Sequence, residues 1–291
     1  MKSAYLYVAP IVVAVFTIGI LPVGHAFYLS LTNLSSLHPD PEFVGIQNYQ
    51  SLITDPNIWN AARVTTIFLV GTVVVEFLVG LYLAVLMFGQ FRGRKFFDNI
   101  LFVPIAISPI VMGVLYSPNV VLDDLNTLLY YGLNTGLFID TRLPVVYYGM
   151  MILADVYVWG PLMMMIMLAI LNNIPKEQFE AAEVSGASSF QVFRKITLPA
   201  IVRSPILAAM LTLRVIDNFK AYEIPFTWSF WLGQERLGTP IDTFGVLMFK
   251  LLSSPDFALS QIAAIALTLM VFSITIAVLF MKFATKSWGG Y

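Results

Sequence analysis

The stretch "EAAEVSGASSFQVFRKITLP", Glu180 to Pro199, interrupts an otherwise strongly apolar part of the chain. It is polar and rich in small residues, and long apolar runs precede and follow it, near residues 146–172 and 199–224. An apolar run of about 20 residues can cross the roughly 30 Å hydrocarbon core of a bilayer as a helix. The stretch is therefore predicted to connect two membrane spans outside the hydrocarbon.

The composition predicts an integral membrane protein. Hydrophobic residues make up 58% of the 291 residues and charged residues 11%, whereas soluble domains carry about 25% charged residues. The net charge of −1 provides no basic surface for nucleic acid. Because the chain has no cysteine, disulfides, iron–sulfur clusters and thiol catalysis are excluded.

Six apolar runs are long enough to span the membrane, near residues 5–31, 62–89, 98–118, 146–172, 199–224 and 258–282. The first is too long for the core of a signal peptide and is predicted to be a retained span. Prolines interrupt the third run at Pro104, Pro109 and Pro118, and the fourth at Pro161. Since such breaks need neighbouring protein to satisfy the freed backbone groups, the prediction is an all-α bundle of six packed transmembrane helices.

The distribution of Lys and Arg predicts the orientation of the spans, because cytoplasmic segments are enriched in these residues. If the amino terminus is inside, the inner segments hold ten of the sixteen basic residues: Lys2, Arg92, Arg94, Lys95, Lys176, Arg194, Lys195, Arg203, Lys282 and Lys286. In the outer segments, acidic residues outnumber basic ones. Both termini and the stretch Glu180–Pro199 are therefore predicted to be cytoplasmic.

Local signals predict two short helices joined by a sharp corner in and around this stretch. Pro175 suits the first turn of a helix, and Asn173 is a candidate cap for it. Gly186 can adopt the left-handed conformation that commonly ends a helix. Ser188 followed by Gln191 fits a capping box at the start of the second helix.

The first of these helices carries small and acidic side chains that suit contact with another surface. Ala181 and Ala182 would allow a close approach, and Glu180 and Glu183 give the helix an acidic edge. Pro199 is predicted to mark the start of the next span. On these features alone, the alternative is an amphipathic helix pair that lies on the inner membrane surface.

The full spacing resembles the cytoplasmic signature of permeases in bacterial and archaeal ATP-binding-cassette (ABC) importers: Glu-Ala-Ala, three residues, Gly, nine residues, Ile, one residue, Leu-Pro. The matching positions are Glu180, Ala181, Ala182, Gly186, Ile196, Leu198 and Pro199. "FVGIQNY" (43–49), "LPAIVRSPILAAMLTLRVIDNFKAYEIP" (198–225) and "FALSQIAAIALTL" (257–269) also look like carbohydrate-importer permeases, closest to the first permease of maltose-type systems. The outer stretches "YSPNVVLDDLN" (116–126) and "SFWLGQERLGTP" (229–240) depart from that pattern, which leaves the receptor contacts and the solute open.

The resemblance implies a type I ABC importer permease fold, with six transmembrane helices and a cytoplasmic coupling helix, in the plasma (inner) membrane of a prokaryote. It implies an N-terminal helix and outer loop in residues 1–61, a permease core in 62–282 with a coupling segment at 175–199, and a cytoplasmic tail in 283–291. The implied partners are a second homologous permease, two ATPase subunits, an extracytoplasmic solute-binding protein and the lipid bilayer. The chain would be a transport subunit without a cofactor of its own, and not an enzyme.

The resemblance also implies roles for the residues of the signature. Glu180 would pair with a basic group on an ATPase subunit, Ala181 and Ala182 would permit close contact, and Gly186 would set the turn. ATP and Mg would be bound by the ATPase subunits, because this chain has no Gly-x-x-x-x-Gly-Lys-Ser/Thr loop. The solute is expected to be a sugar, a sugar alcohol or a related polyol.

Four ionisable residues recur at three-residue intervals in the fifth span: Arg214, Asp217, Lys220 and Glu223. On a continuous helix each would lie near the next, so one interpretation is a self-neutralising ladder. In the other interpretation the helix loosens here, and Arg214, Asp217, Asn218 and Tyr222 belong to the translocation path. The resemblance supports the second interpretation, because it implies solute contacts on this part of the fifth span and on the fourth.

On the fourth span, Asp155 and Trp159 lie four residues apart and share a helical face with Tyr148. A carboxylate beside an aromatic ring suits a carbohydrate, so Asp155 and Trp159 are predicted to line the substrate path. The alternative is a structural hydrogen bond between helices and simple packing. Glu76, in the second span, is predicted to be a buried structural partner.

Two other classes of function stay open on the residues alone. An ion-coupled secondary transporter acting without an ATPase would account for the charges within the spans, but it gives no reason for the pattern in Glu180–Pro199. A membrane-embedded enzyme could use Asp155, Asp217 or Glu223 as acids, but no nucleophile–base pair or set of metal ligands accompanies them.

Overall fold

The computed structural model describes residues 9–89, 91–134, 137–140, 143–231, 233 and 238–288. In these ranges the chain is almost entirely helical, and its β structure is one isolated antiparallel bridge between Thr32 and Phe43. In chain order the helices are α1 (Ala9–Ser30), α2 (Gln47–Thr54), α3 (Pro56–Met87), α4 (Arg94–Ala106), α5 (Pro109–Gly132), α6 (Pro144–Asn172), α7 (Lys176–Val184), α8 (Ser189–Val202), α9 (Pro205–Phe219), α10 (Glu223–Trp231), α11 (Phe244–Ser253) and α12 (Leu259–Trp288).

Four of these helices, α1, α3, α6 and α12, are long and apolar enough to cross a membrane. Two pairs pass the same test only together: α4 with α5, bent by 96°, and α8 with the stretch Pro205–Trp231, bent by 60°. The described part of the chain therefore holds four to six crossings. The six predicted spans correspond to these four helices and two bent pairs.

Both bends lie where a proline begins a helix. Ser108 is extended and Pro109 is the first residue of α5, and in the same way Ser204 is extended and Pro205 begins α9. The prediction that Pro161 interrupts the fourth span is wrong, because α6 continues through it. Pro161 is buried, and packing against the neighbouring helices holds α6 together across the missing hydrogen bond.

The largest helix–helix interface joins α3 and α6. A methyl group added at Gly80 would lie 2.6 Å from Cγ of Met163, and one added at Gly71 would lie 2.4 Å from Cδ1 of Ile152. Glycine at both positions therefore allows the two backbones to approach closely, as small residues do in membrane helix pairs. One consequence is that polar side chains from α3 and α6 can reach the same partner on α9.

The last helix extends beyond the predicted sixth span. α12 continues to Trp288, so residues 283–288 of the predicted tail are helical. Lys2, residues 232 and 234–237 of the predicted outer stretch, and residues 289–291 lie outside the described residues. The predicted division into an N-terminal part, a permease core and a tail stays a prediction.

Candidate functional site

The guanidinium of Arg214, on α9, binds three carboxylates from three helices. Its Nε and Nη2 donate to the two carboxylate oxygens of Glu76 on α3, at 2.9 and 2.5 Å. Nη2 also donates to Oδ2 of Asp155 on α6 at 2.5 Å, and Nη1 donates to Oδ2 of Asp217 on α9 at 2.9 Å. Arg214 is 2% exposed and Glu76 is fully buried. The prediction that Glu76 is a buried structural partner is confirmed.

Trp159 completes this group of residues. The Cζ atom of Arg214 lies 4.5 Å from the centroid of the Trp159 ring on α6, which is the geometry of a cation–π contact. Charges within a membrane protein are tolerated when they are paired and hydrogen-bonded, and the planar guanidinium can bind several carboxylates at once. The arginine cluster, defined as Glu76, Asp155, Trp159, Arg214 and Asp217, therefore fixes α3, α6 and α9 relative to one another.

The four regularly spaced charges of the fifth span do not lie on one helix. α9 ends at Phe219, residues 220–222 are not helical, and α10 begins at Glu223. Arg214 pairs with Asp217, and Nζ of Lys220 lies 3.6 Å from Oδ1 of Asp217. The interpretation as a continuous ladder is wrong, because the helix stops before the fourth charge. We refer to residues 220–222 as the interruption.

A cavity of about 210 Å³ lies beside the arginine cluster. Five of the six predicted path residues line it: Asp155, Trp159, Asp217, Asn218 and Tyr222. The rest of the lining is Phe68, Pro109, Lys220, Ala221, Glu223, Ile224 and Pro225. The sixth predicted path residue, Arg214, is not part of the described lining. Its guanidinium is surrounded by carboxylates and by the Trp159 ring, and its place in the path stays a prediction.

Both the oxygen and the nitrogen of the Asn218 side-chain amide are hydrogen-bonded. Oγ1 of Thr72 donates to Oδ1 of Asn218 at 3.1 Å, and Nδ2 of Asn218 donates to the backbone oxygen of Arg214 at 3.0 Å. Sequence reasoning missed Thr72. It lies four residues before Glu76, one turn earlier on the same face of α3, and that spacing could have identified it.

The cavity wall offers both hydrogen-bonding groups and aromatic faces. The carboxylates of Asp155 and Asp217 accept hydrogen bonds, and the ammonium group of Lys220, on the interruption, donates them. Trp159 and Tyr222 contribute aromatic rings to the lining. Tyr148, predicted to share a face with Asp155 and Trp159, is not part of the described cavity lining. Its hydroxyl donates to the backbone oxygen of Pro240.

The segment 175–199 forms two helices joined at a corner, as predicted. Gly186 has a φ of +71°, in the left-handed region, and its N–H donates to the oxygen of Glu183 at 2.9 Å. Oγ of Ser188 accepts from the N–H of Gln191 at 3.3 Å, and Oε1 of Gln191 accepts from the N–H of Ser188 at 2.8 Å. The predicted left-handed glycine and the predicted capping box are both confirmed.

Two predictions about the ends of this segment are wrong. Asn173 does not cap α7, because its side chain belongs to the last turn of α6 and donates to the oxygen of Ala169 at 2.9 Å. Pro199 does not start a new span, because α8 runs through it and the next helix begins at Pro205. The wider π-helical turn Phe193–Thr197 comes directly before this part of α8, and it lets the helix pass a residue that lacks an N–H.

The corner presents apolar side chains outward. Val184 is 90% exposed and Phe190 is 67% exposed. On the opposite side, the ring of Phe179 packs 5.5 Å from the ring of Phe88, which follows α3. Among the other signature residues, Glu180 and Ala181 are exposed, whereas Ala182, Ile196, Leu198 and Pro199 are half-buried. One face of α7 is therefore anchored on the bundle, and its other face is open.

Comparison with known proteins identifies the family. Residues 76–285 match the family described as binding-protein-dependent transport system inner membrane component. The chain is 29% identical to the trehalose/maltose transport system permease protein MalF of Thermococcus litoralis, over 96% of this chain and 92% of that protein. It is 28% identical to the trehalose transport system permease protein SugA of Mycobacterium tuberculosis, over 76% of this chain and 71% of that protein.

The fold is similar to that of solved importer structures. A chain of a bacterial ABC transporter involved in the import of the acidic polysaccharide alginate aligns with a TM-score of 0.74, at 19% identity, over 98% of this chain and 94% of that chain. These similarities favour a transport subunit over the ATPase-independent transporter and the enzyme considered from the sequence. The chain belongs to the family of binding-protein-dependent transport system inner membrane components, as a multi-pass transport subunit of the inner membrane.

Proposed function

We propose that this chain is the permease subunit of an ABC importer and forms, with a second permease, the translocation path for a sugar or related polyol. The observation that carries the proposal is the cavity beside the arginine cluster, where carboxylates and aromatic rings from α6, α9 and the interruption face one space. Carboxylate oxygens accept hydrogen bonds from hydroxyl groups, and aromatic rings cover the apolar face of a sugar. The names of the two relatives, both transporters of trehalose, support this class of solute.

The size of the cavity supports a site shared between two chains. Its volume of about 210 Å³ is below the roughly 300–1,000 Å³ of typical ligand pockets. One chain therefore supplies one wall of the path, and the second permease supplies the facing wall. An extracytoplasmic solute-binding protein would deliver the solute to the outer side. One of the similar solved structures is a transporter in complex with a periplasmic protein that carries an alginate pentasaccharide.

ATP hydrolysis by two separate ATPase subunits is proposed to drive transport. These subunits bind ATP and Mg, and they bind the corner of the segment 175–199. The exposed side chains of Val184 and Phe190 would enter an apolar cleft of an ATPase subunit, and Glu180 would pair with a basic group there. Ala181 and Ala182 would permit the close approach. Because Phe179 packs on Phe88, displacement of α7 would be transmitted to the end of α3.

The proposed topology places this corner and both termini in the cytoplasm, following the distribution of Lys and Arg. Residues 62–282 form the proposed permease core, with the coupling segment at 175–199. Residues 1–61 form the N-terminal helix and outer loop, and residues 283–291 form the cytoplasmic end of the chain.

Uptake by the assembled transporter tests the solute assignment. The chain is co-expressed with the second permease, ATPase subunits and binding protein encoded with it, and uptake of radiolabelled trehalose and maltose is measured. Trp159→Ala should raise the apparent KM about tenfold, since it removes a stacking surface from the cavity. Trp231→Ala, at an exposed ring outside the cavity lining, is the matched control and should leave KM unchanged. Uptake that continues without the ATPase subunits, or an unchanged KM in Trp159→Ala, would contradict the proposal.

A further inference from the structure

The start of α11 binds the interruption that lines the cavity. Thr243, the fully buried N-cap residue of α11, donates from Oγ1 to the backbone oxygen of Ala221 at 2.6 Å. Oγ1 of Thr243 in turn accepts from the N–H of Val246 at 3.3 Å. One hydroxyl group therefore caps α11 and also donates to a backbone carbonyl of the interruption, which lies outside any helix.

Gly245, two residues later, makes the closest approach between α11 and the interruption. A methyl group added there would lie 2.7 Å from the oxygen of Ala221, 2.9 Å from the oxygen of Lys220 and 3.0 Å from Cβ of Tyr222. Two of these three atoms belong to the backbone, so they cannot rotate away as the end of a flexible side chain can. The backbone of α11 is thus packed directly against the three residues of the interruption.

The start of α11 is itself fixed by buried polar contacts. Asp242 is fully buried. It accepts from Nζ of Lys250 at 2.7 Å, from Oγ1 of Thr239 at 2.6 Å and from the N–H of Thr239 at 3.0 Å. Nδ2 of Asn60, on α3, donates to the backbone oxygen of Thr239 at 2.7 Å. These contacts anchor the segment before α11 to α3 and to α11.

We propose that Thr243 and Gly245 are positioning residues of the solute site, because they hold the interruption in the shape that lines the cavity. Neither residue lines the cavity as described. Thr243 fixes the carbonyl of Ala221, and the absence of a side chain at Gly245 lets α11 lie against Lys220 and Tyr222. The inference rests on the proposed function in one respect, namely that the cavity is part of the solute path.

A thiol-labelling experiment tests the positioning role without any solute. The chain has no cysteine, so Ala221→Cys, at a half-buried position of the cavity wall, introduces a single reporter. Its rate of reaction with a maleimide is measured in membranes that contain the assembled transporter. Thr243→Val and Gly245→Ala should each raise that rate about fivefold or more, since each loosens a buried contact. Thr243→Ser keeps the hydroxyl group and should stay within about twofold of the parent rate.

A control reporter and a kinetic readout separate positioning from a general loss of structure. Thr54→Cys, at an exposed position on α2, should react at the same rate in every background. In trehalose or maltose uptake, Thr243→Val should raise the apparent KM more than it lowers the maximal rate per transporter, and Thr243→Ser should restore it. If Thr243→Val does not accumulate in membranes, Thr243→Ala takes its place.

The possible outcomes are distinct. Unchanged reactivity of Ala221→Cys in both the Thr243 and Gly245 variants would overturn the positioning role, whatever solute is transported. An equal rise at Thr54→Cys would overturn it as well, since the change would then be global. If Ala221→Cys reactivity changes in a transporter that moves neither sugar, the positioning role of Thr243 and Gly245 would be supported and the solute assignment would be refuted.

Discussion

The buried guanidinium of Arg214 forms ion pairs with three carboxylates. The ion pairs of Asp217 with Arg214 and Lys220, together with Glu76 and Asp155, bring three acids against two basic groups. The carboxylate oxygens can therefore accept further hydrogen bonds, and those of Asp155 and Asp217 lie in the cavity wall. A hydroxylated solute that donates hydrogen bonds to Asp155 and Asp217 would satisfy these oxygens without adding charge to the membrane interior.

Arg214→Lys should destabilise the protein although it preserves the charge. A lysine ammonium cannot make the paired contact with Glu76 while also reaching Asp155 and Asp217, because its donors lie on one atom. A buried carboxylate that loses its partner costs about 3–5 kcal/mol. The expected result is a lower melting temperature of the purified complex and less protein in the membrane. Lys220→Arg, at a side chain that is 70% exposed, is the control. A melting temperature in Arg214→Lys equal to that of the parent would contradict the structural role.

Among the helices, α7 and α8 make the corner that the proposed ATPase contact needs. The corner turns at Gly186, where the backbone adopts a positive φ and open space surrounds the position at which a side chain would begin. A substitution there acts through the backbone conformation and not through a steric clash. The backbone effect can therefore be separated from changes in packing.

Gly186→Val should uncouple ATP hydrolysis from uptake. A β-branched residue in the left-handed region costs about 1–2 kcal/mol, so the corner is expected to move toward another conformation and to fit the ATPase subunit poorly. The protein should still insert, and solute uptake per ATP hydrolysed in proteoliposomes should fall. Gly149→Val is the matched control, because Gly149 also has open space around it but lies within α6. Normal coupling in Gly186→Val would count against the role of the corner.

The features that sequence reasoning predicted correctly at this scale have local causes. The capping box of Ser188 and Gln191 and the left-handed Gly186 depend on residues a few positions apart, so their signals are visible in the sequence. The partners of Arg214 are different: Glu76 lies 138 residues away along the chain, and its pairing depends on how α3 and α9 pack. The interpretation of the four charges as a ladder was wrong for the same reason. It assumed a continuous helix, whereas the helix is interrupted at residues 220–222, where Thr243 makes a tertiary contact with Ala221.

For the whole molecule, the polar contacts of α3 are ordered along its length. Asn60 binds the segment before α11, Thr65 binds the start of α11, and Glu76, nearer the middle of α3, binds Arg214. The segment 175–199 begins three residues after α6 ends, at the opposite end of that helix from residue 144. The proposed solute path and the proposed ATPase contact are therefore separated along the length of the bundle, as a transporter that couples the two requires.

Single cysteines at the two ends of the bundle test the proposed topology, in which the corner is cytoplasmic. Because the chain has no cysteine, Thr54→Cys on α2 and Ser185→Cys at the corner each provide one exposed thiol. In right-side-out membrane vesicles, a membrane-impermeant maleimide should label Thr54→Cys directly, and it should label Ser185→Cys only after the vesicles are permeabilised. The physical reason is the excess of Lys and Arg near the corner, which favours its retention in the cytoplasm. Inverted vesicles provide the control and should show the opposite order. Labelling of Ser185→Cys in sealed right-side-out vesicles would place the corner outside the cell, where no ATPase subunit could bind it.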